Sequence, residues 1–122
     1  MYKIKIVTNF SAAHSLRGYK GKCESLHGHN WKVEVLVSSE KLNSLGIAID
    51  FQELKKITSK VLEELDHKHL NDLEYFRKVN PSSEQIARYI FLRLKKLIAN
   101  QKYRLGEVLV WETETSCAGY SE

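Results

Sequence analysis

Largely apolar side chains recur at every second position near the start of the chain, Tyr2, Ile4, Ile6, Thr8 and Phe10, with Lys3 and Lys5 between them. That alternation predicts a strand with one buried face over residues 2–10. It returns in Trp31, Val33, Val35 and Val37 and again over residues 105–111. Between these stretches the period changes. Phe51, Leu54, Ile57, Val61 and Leu65 fall at helical spacing, as do Ile86, Ile90, Leu94 and Leu97, which predicts two amphipathic helices. Asp50 with Glu53, and Ser82 with Gln85 just after Pro81, are spaced as capping pairs that open them. Residues 47–49 read as a short extended piece before the first helix, and residues 112–120 carry a short fourth strand. The order ββααββ predicts an α+β fold, a four-stranded antiparallel sheet with two helices on one face.

Composition narrows the class without naming a function. At 122 residues and 43% hydrophobic content, the chain suits a single domain spanning residues 1–122. No apolar run approaches the roughly 18 residues that span a bilayer, and the N-terminus lacks a signal-peptide core. The expectation is a cytoplasmic protein with no membrane partner and with Cys23 and Cys117 reduced. A net charge of +4, spread along the chain without aromatic interleaving, indicates no nucleic-acid partner and would suit a small anionic substrate.

Chemistry concentrates between residues 14 and 31. His27 and His29 lead straight into the alternating series of the second strand, so both imidazoles face one way. The parity of the first strand carries through Ala12 to His14, and a hairpin of the two strands brings three histidines onto one face. Three neutral imidazoles with a fourth position open form the ligand set of a catalytic zinc site. A closed site with Cys23 as fourth ligand is the competing reading, and it makes the protein a non-catalytic zinc-stabilised binding module. Arg17, Lys20 and Lys22 lie on the intervening loop, where they could meet a polyphosphate or simply be solvated. Asp66 could orient the imidazole of His67 and hold it protonated for exchange with the Cys23 thiol. The alternative is a helix C-terminal histidine interacting with the dipole. His69 reads as a surface residue.

These residues, taken together, resemble the 6-pyruvoyl-tetrahydropterin synthase family, which includes the 6-carboxy-tetrahydropterin synthases of queuosine biosynthesis. The likeness is carried by Phe10-Ser11-Ala12-Ala13-His14, Cys23 four residues before His27-Gly28-His29, Leu65-Asp66-His67 with Leu70-Asn71, Asn80-Pro81-Ser82-Ser83-Glu84, and Trp111-Glu112-Thr113. The resemblance implies the tunnelling fold (T-fold), a homohexamer with active sites between subunits, and a lyase acting on the pterin 7,8-dihydroneopterin triphosphate. It implies Zn2+ on His14, His27 and His29, a catalytic set of Cys23, Asp66 and His67, and substrate contacts at Glu112, Glu24 and Ser83. The products it implies are the 6-carboxy or 6-pyruvoyl tetrahydropterin. Two positions depart from the usual pattern. Ser82 stands where threonine is usual, and Glu24 lies beside Cys23 where a folate-type subgroup uses a glutamate to release 6-hydroxymethyl-dihydropterin.

Overall fold

The structure, a computed structural model, describes residues 1–20 and 25–122. Its frame is an antiparallel hairpin of β1 (Tyr2–His14) and β2 (His27–Ser39), paired in unbroken register from Tyr2 with Ser39 to His14 with His27. The alternation explains both length and facing. Ile6, Phe10, Ala12 and His14 are buried from β1 and Trp31, Val33, Val35 and Val37 from β2, while Lys3, Lys5 and Lys32 face outward. The first strand runs four residues beyond the expected end and carries His14 within the ladder.

Helix α1 (Phe51–Leu62) starts where the Asp50 carboxylate accepts from the Gln52 N–H, and it buries Leu54, Thr58, Val61 and Leu62. The extended piece expected at residues 47–49 is no strand, because it has no neighbour to pair with. After α1 come a two-residue strand β3 (Lys68–His69), a 3-10 turn (Leu70–Asp72) and a short helix α2 (Tyr75–Lys78). Helix α3 (Ser83–Leu97) is capped by the Ser82 hydroxyl, which accepts from the Gln85 N–H. Strands β4 (Arg104–Thr113) and β5 (Ser116–Tyr120) close the sheet.

The sheet has five strands in the order β3-β1-β2-β4-β5, one more than the sequence pattern predicts. The addition is β3, which pairs parallel to β1 through Ala12 with Lys68 and Ala13 with His69. Two residues are too few for an alternation to register. Helix α1 lies over β1, α3 over β4 and β5, and the helices touch each other. Their buried stripes meet the inner sheet face in one apolar cluster running from Ile6 and Phe10 through Leu54, Leu65 and Phe76 to Ile90, Leu94 and Val110. No helix among the described residues is long and apolar enough to cross a membrane.

Candidate metal centre

At one end of this core the hairpin register puts His14 directly opposite His27, with His29 opposite Ala12. All three rings share the face that carries Trp31. The Trp31 indole forms the floor, edge-on to His14 at 4.9 Å and to His29 at 5.1 Å between centroids, stacked on Phe10, and tied to β1 by a hydrogen bond from its Nε1 to the Ala12 carbonyl (3.2 Å). The parity that aligns residues 27, 29 and 31 also marks Trp31 as the support, a role not drawn from the sequence.

Two rings have their tautomer set by a carbonyl. His14 Nδ1 donates to the Pro81 carbonyl at 2.7 Å, and His27 Nδ1 donates to the Ser25 carbonyl at 2.7 Å. Each neutral ring then presents the lone pair of Nε2, and these two atoms face each other at 3.0 Å. His29 Nε2 is buried, with the Glu112 carboxylate 3.0 Å away. Burial pushes this imidazole below its ordinary pKa, Glu112 pulling the other way and His27 and His14 adding to the fall, which favours the neutral ring that a metal requires.

Glu112 completes the group. Its Oε1 lies 3.0 Å from His29 Nε2, 3.3 Å from His14 Nε2 and 3.8 Å from His27 Nε2. The strand register explains its aim. Trp111 pairs with Cys117 and Thr113 with Ser116, so Glu112 is the extra residue of a bulge between β4 and β5, a device that turns a side chain out of the regular alternation. Four donor atoms thus lie within 4.8 Å of one another. With metal–nitrogen bonds of 2.0–2.1 Å, the edges of a tetrahedral site are about 3.3 Å, and the measured separations bracket that value. Three imidazole nitrogens and a carboxylate oxygen converging on one point are a donor set that fits a divalent metal.

Asp66 and His67 sit elsewhere on the sheet. Asp66 Oδ1 accepts from the Ser11 N–H (2.9 Å), the His67 N–H donates to the Ser11 carbonyl (2.6 Å), and His67 Nδ1 is 3.0 Å from Asp66 Oδ2. The pair is therefore docked on the outer edge of β1. His67 adopts a left-handed backbone (φ 57°) and its side chain is 81% exposed. Among the described residues no hydrogen bond or ion pair joins this pair to the three imidazoles. His69 is drawn against the sheet by the β3 pairing instead of lying free at the surface. Its Nδ1 is 3.2 Å from Asp72, and its Nε2 is buried without a partner.

The remaining expectations divide. Arg17 is exposed, and its Nη2 donates to the carbonyls of Phe76 and Val79 (2.9 Å for the latter). Lys20 is exposed. Ser83 is half-buried at the first turn of α3. Lys22, Cys23 and Glu24 lie outside the described residues, whereas Cys117 is a free, exposed thiol. Asn71 and Asn80, unassigned in the sequence, hold the chain after His14. The Asn71 amide exchanges both hydrogen bonds with the Ser15 backbone and the Asn80 amide does the same with Arg17, all four at 2.9 Å. A cavity of about 700 Å³ beside Lys41, Leu42, Ile47, Lys102 and Arg104 is far from the imidazoles, at the Tyr2 end of the hairpin.

Comparison with known proteins bears on the whole chain. The family model described as 6-pyruvoyl tetrahydropterin synthase matches residues 3–122. The 6-carboxy-5,6,7,8-tetrahydropterin synthase of Haemophilus influenzae is 34% identical across all of both chains. The dihydroneopterin monophosphate aldolase of Pyrococcus furiosus is 36% identical over 85% of this chain and 83% of its own. The solved structure of Caenorhabditis elegans 6-pyruvoyl tetrahydropterin synthase superposes with a TM-score of 0.89 at 32% identity, over 99% of this chain and 95% of that one.

Proposed function

This chain belongs to the 6-pyruvoyl tetrahydropterin synthase family, and from that premise we propose that it is a zinc-dependent lyase acting on 7,8-dihydroneopterin triphosphate. The product in this reading is 6-carboxy-5,6,7,8-tetrahydropterin, formed with loss of triphosphate and acetaldehyde. The observation that carries it is the convergence of His14, His27, His29 and Glu112 on one point in a chain of this family.

The three imidazoles would hold the zinc, each ring turned by its strand so that Nε2 faces inward. Bound zinc supplies Lewis acidity, acidifying the side-chain hydroxyls and polarising the developing carbonyl. Glu112 accepts the paired N–H donors of the pterin edge, a shape that a carboxylate matches with both oxygens. Ser83 and Glu24 contribute further substrate contacts. Cys23 is the base. A free thiol is only about 3% thiolate at pH 7, so Cys23 needs a neighbour that favours the thiolate, and the Asp66-paired ring of His67 is the candidate for that task. Exposure of His67 at the sheet edge supports a site that closes between copies of the chain, in keeping with a hexamer.

The test is incubation of the zinc-loaded protein with dihydroneopterin triphosphate and resolution of products by mass spectrometry. Carboxy pterin and acetaldehyde are expected, and both should vanish in the metal-free protein and in Cys23→Ala. The similarity to the Pyrococcus aldolase favours one second reading, cleavage to 6-hydroxymethyl-dihydropterin with Glu24 as base. 6-Hydroxymethyl-dihydropterin lost in Glu24→Ala and retained in Cys23→Ala would establish that reading instead.

A further inference from the structure

The end of the hairpin away from the imidazoles carries a cavity of about 700 Å³, within the roughly 300–1,000 Å³ common for small-molecule pockets. Its charge is one-sided. Lys41, Lys102 and Arg104 line it against a single carboxylate, Glu40. None of these three cations forms an ion pair among the described residues, whereas Lys5, Arg93 and Lys95 all do. Its apolar part includes Leu42 and Ile47, 39% and 41% exposed, the kind of uncovered surface that marks a binding site when it is gathered in one place. We propose that this cavity binds a purine nucleotide, with the phosphates on the three cations and the base against Leu42 and Ile47. The site is separate from the metal centre and from the function proposed for it.

The loop that supplies Lys41, Leu42 and Ile47 is fixed by its own hydrogen bonds. Asn43 Oδ1 accepts from the N–H groups of Leu45 and Ile47 at 2.9 and 3.1 Å, and the Asn43 N–H donates to the Ile47 carbonyl at 2.9 Å. Ser39 Oγ donates to the Lys41 carbonyl at 2.8 Å, and Gly46 takes the left-handed φ of 79° that the turn requires. A wall held in this way loses little freedom when a ligand arrives. The other two cations come from a different part of the chain: Arg104 opens β4, paired with Ser38 of β2, and Lys102 lies two residues ahead of it. Separate segments thus bring their charges to one hollow. A guanidinium grips two phosphate oxygens at once, and the two ammonium groups neutralise the rest of a polyphosphate. A bare polyanion would leave Leu42 and Ile47 in water, whereas a base covers them and offers a ring amine to Glu40. A purine nucleotide supplies all three features in one molecule.

Isothermal titration calorimetry of the zinc-loaded protein at low ionic strength tests this, with ATP and inorganic triphosphate as the two probes. ATP should bind more tightly than triphosphate, and its affinity should fall as salt is added. The double variant Lys102→Gln with Arg104→Gln should weaken ATP at least about tenfold. Leu42→Ala should weaken ATP about threefold and leave triphosphate unchanged. All these side chains are exposed, so the variants should keep the wild-type melting temperature, and if the double variant fails to fold, Lys41→Gln and Leu42→Ala carry the test. Absence of ATP binding to the wild-type protein overturns the proposal. So does ATP that binds wild type and double variant alike, because it is then held elsewhere, the metal end included. Triphosphate bound as tightly as ATP, with no effect of Leu42→Ala, reveals a patch that attracts any polyanion and overturns the nucleotide assignment too. Turnover of dihydroneopterin triphosphate enters none of these measurements, so the failure of one reading leaves the other standing.

Discussion

Asp66 joins the fold to the chemistry proposed for it through one carboxylate. The Ser11 N–H holds its pKa below the ordinary carboxylate value, burial opposing and His67 adding to the fall. A depressed pKa in the folded state means that ionised Asp66 stabilises the fold. That contribution is complete above the ordinary carboxylate value and is lost as the pH falls through the lowered one. Asp66→Asn keeps an oxygen for the Ser11 N–H and removes the charge. At pH 7 it should unfold at lower urea than wild type, and the gap should close as the pH falls towards 3, by a modest amount because the side chain is 41% exposed. Urea midpoints of both proteins across that range give the measurement. The imidazole group was legible at this scale because a period of two fixes facing: residues 27 and 29 share a side, and residue 14 joins them through the parity of β1. Arg17 was not, since a guanidinium turned onto main-chain carbonyls has the same sequence signature as one turned to solvent.

Among the elements, the stretch after His14 shows how irregular chain is fixed without a strand or a helix. Asn71 and Asn80 each offer a donor and an acceptor on one planar amide, imitating a neighbouring strand for Ser15 and Arg17. Asn80 is also the residue before Pro81, whose carbonyl orients His14, so the clamp and the metal ligand form a closed ring of contacts. Asn80→Ala should cost about 0.5–1 kcal/mol in denaturant unfolding, because both main-chain groups of Arg17 are exposed and water replaces the lost amide. It should also weaken zinc binding, but by less than the roughly tenfold or more that losing an outer partner costs, because the Pro81 carbonyl that orients His14 stays in place. Equal zinc affinity in the variant would confine the clamp to stability. Asn80→Asp keeps the acceptor but sets a carboxylate against the Arg17 carbonyl, and it should be no better than alanine. The helices were readable ahead of the structure because spacing and cap agree at Asp50 and Ser82. The clamp and β3 were not, since both depend on contacts more than fifty residues apart.

In the whole molecule, the core and the metal group share the hairpin but are separable in energy. Trp31, Val33, Val35, Val108 and Val110 pack with the helices in a cluster that contains no donor atom of the site, and the imidazoles close only its end. A chain whose core depended on the metal would lose its structure with the ion, as small zinc modules do. Here chelation should leave the far-ultraviolet circular dichroism and cooperative unfolding intact. Zinc at a hundredfold excess over its dissociation constant adds about 2.7 kcal/mol, so the melting temperature should fall by roughly 10 °C on its removal and recover when zinc is restored. Thermal scans of the holo, chelated and reloaded protein measure the difference. A chelated protein that melts without cooperativity would revive the non-catalytic zinc-stabilised module. A cooperative apo fold that regains its melting temperature with the metal assigns the ion to chemistry at the sheet end, because the apolar cluster then holds the chain without it.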